Sequence, residues 1–497
     1  MAMPPSAQIS PASYKASFYR TIWRWHFYAG LFVVPMVLIL SLTGAAYLFK
    51  PQVERWEERA WQGLPTAGVA TPEAQVSAAL AALPGAKFHS YRLPQQQGDA
   101  AMIHVGLFGA EAGNDKVMRD VFVSPQGQVV GVLDPEWRIM EIAHDIHGQL
   151  LLGKRGSWLV ELAASWAIVM ILTGLYLWWP RGRGVASVLW PRLSAGSRTA
   201  WRDLHAVTGF WVSGLAMVLL LTGLPWADVW GSAFKAVRAE MGWVKGKQDW
   251  TIGGAAPSAD EHNEHAEHDH AAMMAMNGHV PAMDHDLANT TPAITLSEVV
   301  RRAQREHLAF PAIITPPGAP GRFGRKGGEN WTLRSDSQNR PLRTTITLDK
   351  QTGRELSRET FADGHPIDRV VGYGVAWHEG QLFGWVNQLI GVLTALMLAT
   401  LSISGFVMWR KRKPDRGLGA PPMPNEKVMT KLVPVLLILA VLLPLFALSF
   451  VVVAILEKLL LPQTPKLARW LGLQAGCPLR DTQPVAIVAT RRSRWPI

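Results

Sequence analysis

The sequence predicts a membrane-embedded α-helical bundle carrying two small α+β domains, built by repeating one span–domain–span unit. Three observations predict it. Five stretches are long and apolar enough to cross a ~30 Å hydrocarbon core, which takes about 20 residues. Charged residues make up only 18% of the 497-residue chain, against about 25% in soluble domains. Motifs around the first and second spans recur around the third and fourth.

The spans are expected at 25–49, 157–179, 206–226, 382–409 and 432–456. The last is the most apolar and contains Pro434 and Pro444. The chain has 22 Trp, a residue that concentrates at membrane–water interfaces. Its net charge of +11 is gathered in particular loops, which argues for membrane orientation and against nucleic-acid binding. Lys and Arg favour the cytoplasmic side. The arm 1–24 holds Lys15, Arg20 and Arg24, the loop 180–205 holds five arginines, and the loop 410–431 opens R-K-R-K-P-D-R. This puts the N-terminus in the cytoplasm and the segments 50–156 and 227–381 outside. The tail 457–497 falls outside too, although it reads T-R-R-S-R-W. The first span is read as an uncleaved anchor, its apolar stretch being too long for a signal peptide.

The repeat is specific. Thr43-Gly44 follows His26 by 17 and 18 residues, as Thr222-Gly223 follows His205. Thr173-Gly174 follows His147 by 26 and 27, as Ser404-Gly405 follows His378. Between the spans, Val121–Gly131 and Thr345–Glu355 each read as strand, polar turn and strand. Pro72–Leu83 and Leu296–Arg305 are amphipathic helical candidates upstream of them.

His26 and His205 fall at the cytoplasmic ends of spans one and three, and His147 and His378 at the outer ends of spans two and four. Ionisable residues at such positions are functional candidates. Each face offers two matched histidines without a repeated carboxylate. That suits the two axial imidazoles of a haem better than zinc, which takes three or four ligands. His144 is the alternative to His147, three residues away on one helical face. Gly30, Gly209, Gly153 and Gly384 lie within two turns of the histidines and would leave room for a flat macrocycle. Arg24 and Arg202 precede their histidines and serve either as haem-propionate partners or as positive-inside anchors.

The segment 260–286 carries His262, His265, His268, His270, His279 and His285 with Met273, Met274, Met276 and Met283. It has no hydrophobic period, so it reads as a loop. Imidazole and thioether donors suit Cu, Zn or Ni, and the segment is read as a metal-capture loop or a linker of biased composition. The single cysteine, Cys477, excludes an internal disulfide framework, c-type haem attachment and thiolate-based iron–sulfur or zinc sites. No dinucleotide, phosphate-loop, zincin or nucleophile-elbow motif occurs, and no catalytic residue stands out.

The run W-R-W-H-x-x-x-G…L-T-G, followed by I-H-G-Q-L-L-L-G…T-G-L-Y-L-W-W-P, resembles the PepSY-associated transmembrane family over about residues 18–412. The resemblance implies PepSY-type periplasmic domains and b-type haems, two in number here, held by His26, His205, His147 and His378. It further implies an inner-membrane reductase of Gram-negative bacteria. Electrons from a cytoplasmic or quinol donor would reach a ferric siderophore or other metal chelate in the periplasm. Reduction to Fe(II) would release the metal. Two other readings stand beside it: a non-enzymatic metal-uptake accessory using the His/Met loop, and a PepSY-type regulatory membrane protein.

Overall fold

The structure, a computed structural model, describes residues 11–107, 117–179, 186–244, 294–319, 328–415, 417–421 and 432–473. Four helices are long and apolar enough to cross a membrane: Ala16–Tyr47, Gly153–Trp178, Ser197–Trp226 and Trp385–Arg412. The shortest has 26 residues, about 39 Å at 1.5 Å per residue. The first and third each pack against both the second and the fourth. The four therefore form a ring around a central space.

The fifth expected span is not one continuous helix. Pro444 starts a new helix, and a residue before proline is pushed out of the helical region. Leu443 accordingly lies at φ −132°, ψ 83°, which separates Val433–Leu442 from Pro444–Leu459. Neither piece reaches the length a straight span needs. Leu439, Leu443 and Phe446 pack on Ile168, Val169 and Leu224. The Trp230 indole donates to the Leu442 carbonyl at the break, at 3.0 Å.

The second and fourth long helices are each preceded by a short one, Ile139–Gln149 and Pro366–His378. The first connection turns through Leu150 and Leu151, both at positive φ (52° and 57°). Gly156 makes this turn possible: a Cβ there would lie 1.6 Å from the Gln149 carbonyl oxygen. His147 and His378 thus sit on these lead-in helices, just before the spanning helices at whose outer ends the sequence placed them.

Eight strands complete the fold: β1 (Ala86–Arg92), β2 (Ala101–Leu107), β3 (Val117–Val123), β4 (Val129–Leu133), β5 (Ala312–Thr315), β6 (Trp331–Ser335), β7 (Thr344–Leu348) and β8 (Glu355–Thr360). Where two small domains were expected, the two segments form one sheet, ordered β4-β3-β2-β1-β5-β6-β7-β8. Each neighbouring pair is antiparallel, and β1 and β5 join the halves at Tyr91↔Ile314 and Arg92↔Ile313.

The helices Pro72–Ala82 and Leu296–Arg305 form where the sequence placed them. Thr71 caps the first through Ala74 N at 3.2 Å, and Thr295 and Glu298 make a capping box on the second. Their apolar sides share one core with the inward residues of both halves, including Ile103, Val121, Ile314, Leu333 and Ile346. Glu73 ties the helices together by accepting from the Ser297 amide at 2.7 Å. Partial burial would raise this carboxyl, but the Ser297 hydroxyl and amide outweigh that and hold it below its ordinary value.

Ile314 is fully buried at the seam. Ile314→Ala should therefore cost about 2–5 kcal/mol and loosen both halves together in thermal unfolding followed by circular dichroism. The control Val132→Ala, at an exposed position, should stay within about 0.5 kcal/mol.

Candidate cofactor site: two imidazole pairs in the helix ring

The ring encloses a cavity of about 2290 Å³, lined by all four repeated histidines. That exceeds the roughly 300–1,000 Å³ of one small-molecule site. His26 faces His205 with ring centroids 6.4 Å apart, and His147 faces His378 at 6.2 Å. The ring planes cross at 84° and 80°. His147, not His144, makes the pair. His144 instead packs near Tyr47, with centroids 5.7 Å apart.

Each imidazole is held from behind by a neighbouring helix. His26 Nδ1 is 3.0 Å from Thr173 Oγ1, His147 Nδ1 is 3.1 Å from Thr43 Oγ1, and His378 Nδ1 is 3.1 Å from Thr222 Oγ1. His205 Nδ1 is 3.1 Å from Ser404 Oγ and 3.0 Å from the Leu401 carbonyl. A carbonyl only accepts, so His205 Nδ1 carries the proton. Each threonine hydroxyl is within hydrogen-bond reach of a carbonyl one turn back in its own helix, at 2.8–2.9 Å. Having given its hydrogen there, it too accepts from Nδ1. All four rings are thereby set as the Nδ1–H tautomer, with the Nε2 lone pair left for a ligand. A hydrogen bond on one ring nitrogen is what fixes the other as a metal ligand.

The spacing within each pair has a chemical meaning. A metal–imidazole bond is about 2.0–2.1 Å. With the short distance from nitrogen to ring centre, two imidazoles on opposite sides of one metal have centroids a little over 6 Å apart. Both pairs match that arrangement. Among the described residues, no three His, Cys, Asp or Glu side chains come together to hold a metal ion.

The glycine after each hydroxyl residue lets the ring approach. A Cβ at Gly44 would lie 3.0 Å from His147 Cε1, at Gly174 3.2 Å from His26, at Gly223 3.3 Å from His378 and at Gly405 3.2 Å from His205. The glycines singled out from the sequence act elsewhere. Gly30 faces Met170 and Gly209 faces Leu401, while Gly153 and Gly384 are turn glycines at positive φ with open space around them. The repeated Thr/Ser-Gly pairs were visible as landmarks, but nothing local says that they serve a histidine on another helix.

The two levels are separated along the bundle. His26 and Thr43 are 17 residues apart on the first helix, about 26 Å of rise, and His205 and Thr222 repeat this on the third. At the end far from the sheet, Arg202, Arg198, Lys411 and Arg412 line the cavity. Arg202 is paired with Asp203 at 2.7 Å, and Arg412 lies over the Trp23 and Phe27 rings. Arg24 is committed elsewhere. It donates to the carbonyls of Pro421 and Gly472 and to the Tyr28 hydroxyl, and it does not line the cavity. The ten His and Met residues between 262 and 285 lie outside the described residues.

Fold and site together define a membrane-spanning helical protein with an antiparallel sheet domain and a histidine-lined interior. The chain matches the model of the PepSY-associated TM region over residues 23–412 and belongs to that family. A search among curated proteins finds no match.

The tautomer assignment has a direct check. In histidine-labelled protein without added cofactor, nitrogen NMR should give four Nδ1–H imidazoles for the paired residues His26, His205, His147 and His378. Thr173→Val should alter His26 alone among them, and Thr222→Val only His378. A change spread over all four would contradict separate cradles.

Proposed function

We propose that the protein is a di-haem reductase of the bacterial inner membrane, taking electrons from a cytoplasmic or quinol donor and delivering them to a periplasmic ferric siderophore or other metal chelate. One observation carries the reading: two pairs of cavity-facing imidazoles, each at the spacing of two ligands on one metal. The cavity's size supports a large cofactor at each level. Haem b, when bound, would supply reversible one-electron chemistry at each pair.

The chain's own contribution would be to hold, orient and shield. His26 and His205 would ligate one haem, His147 and His378 the other. Thr173, Thr43, Thr222 and Ser404 accept from the ligands' Nδ1–H groups, which fixes ring orientation and raises ligand basicity. The apolar lining, with Val33, Ala167, Val212 and Ala216 among its buried members, keeps water and bulk dielectric from the site. Arg202, with Arg198 and Arg412, offers cations for haem carboxylates at the far end. The charge rule that places that end in the cytoplasm also places the sheet in the periplasm. The sharing of the Thr/Ser-Gly cradles between corresponding helices supports an internal duplication.

The test is the reduced-minus-oxidised spectrum of detergent-purified protein, with a pyridine haemochrome count. About two b-type haems per chain are expected. His26→Ala or His205→Ala should each remove the same haem, and His147→Ala or His378→Ala the other. Protein that stays free of haem after haem-replete expression would rule the reading out. The cradle supplies a further check. Gly174→Leu should lower occupancy at the His26/His205 level and leave the other level filled, read by haem count and by low-spin signals in electron paramagnetic resonance.

A further inference from the structure

The sheet has a second face, opposite the two packed helices, and it carries a group of metal-binding side chains. His104 on β2 pairs across the ladder with Asp120 on β3, and its Nδ1 contacts the Asp120 carboxylate. Asp120 is only 4% exposed, and no Lys or Arg pairs with it among the described residues. The His104 ring is therefore held in place from one side by a buried carboxylate, through Nδ1.

A β-bulge sets a second imidazole beside this one. On β1, Phe88 pairs with Val105 but Ser90 with His104, leaving His89 as the extra residue. A bulge re-aims a side chain and is often found beside functional sites. This one brings His89 to His104, with centroids 5.3 Å apart and planes crossing at 78°. That is closer than the pairs in the bundle, as expected for two imidazoles on adjacent positions around one metal. The register adds two thioethers to the same face. Met102 lies two residues before His104 on β2, and Met118 lies diagonally across on β3, at a spacing of about 7–8 Å that long side chains bridge. All four donor residues are partly exposed.

We propose that this face binds a single copper ion through His89 and His104, with the Met102 or Met118 thioether, one on either side of His104 along the ladder, supplying a soft sulfur donor and Asp120 orienting His104. Imidazole with thioether is a donor set that selects Cu(I), and a carboxylate behind a ligating histidine is the usual outer partner of a metal site. The site is separate from the bundle and does not depend on haem.

The experiment uses the full chain with the 260–286 segment silenced as a competitor, His→Asn at 262, 265, 268, 270, 279 and 285 and Met→Leu at 273, 274, 276 and 283. Cu(I) is titrated against a chromogenic chelator. Binding of one ion per chain is expected, lost in His104→Gln and in His89→Gln. Asp120→Asn should weaken it about 10–100-fold, the usual effect of removing an outer-shell partner. X-ray absorption should show sulfur beside nitrogen, with the sulfur lost in the Met102→Leu, Met118→Leu double variant, a volume-conserving change that keeps the fold. Unchanged Cu(I) affinity in folded His89→Gln and His104→Gln proteins would overturn the proposal, as would a copper environment without sulfur.

Discussion

The rest of the site depends on the hydrogen bond between each imidazole Nδ1 and the hydroxyl of a Thr or Ser on a neighbouring helix. The bond needs a hydroxyl already donating to its own helix, so that its oxygen faces the ring as an acceptor. It needs a glycine next in sequence, so that the ring can lie against the backbone. It also needs two helices close enough for both conditions to hold. Four such contacts, Thr43 with His147, Thr173 with His26, Thr222 with His378 and Ser404 with His205, stitch first helix to second and third to fourth. The same bonds select the tautomer and aim Nε2 inward. Helix packing and ligand chemistry are therefore specified by the same atoms.

This explains how a ring of helices surrounds a large space. Protein interiors are normally packed as densely as organic crystals, and small-residue helix interfaces in membranes bring backbones together. Here glycine cradles bring helix backbone and imidazole together at the two histidine levels. Between them, apolar side chains line the cavity. The lead-in helices make the sheet-side level possible. Because the chain turns sharply through Leu150 and Leu151, and Gly156 tolerates the Gln149 carbonyl, His147 reaches Thr43 of the first helix from the lead-in helix and lines the cavity. The sheet then joins both halves through β1 and β5 and holds the two lead-in helices in a common framework.

Much of this was legible in the sequence because it rests on local rules. Hydropathy marked the four spanning helices, alternation marked the strand–turn–strand stretches Val121–Gly131 and Thr345–Glu355, amphipathic spacing marked the Pro72–Ala82 and Leu296–Arg305 helices, and repeated spacing picked out the four histidines over His144. The misreadings have physical reasons as well. Hydropathy alone does not register a proline break, so 432–456 looked like one span. Glycines near a histidine in sequence were taken for its neighbours, although helical packing brings those from another helix. Arg24 stands two residues from His26, yet helix geometry points it away from the cavity toward the Pro421 and Gly472 carbonyls.

The sequence by itself determined the membrane-helical class, the four spanning helices, one strand–turn–strand stretch in each half with the helix upstream of it, and which histidines recur. Those follow from composition, periodicity and spacing, all carried along one dimension. Tertiary structure alone decided that His26 meets His205 and His147 meets His378, that each ring rests on a Thr/Ser-Gly pair, that two expected domains form one sheet, and that a bulge sets His89 beside His104. These are contacts between residues far apart in the chain. Their geometry depends on how helices cross and strands register, which no single segment encodes.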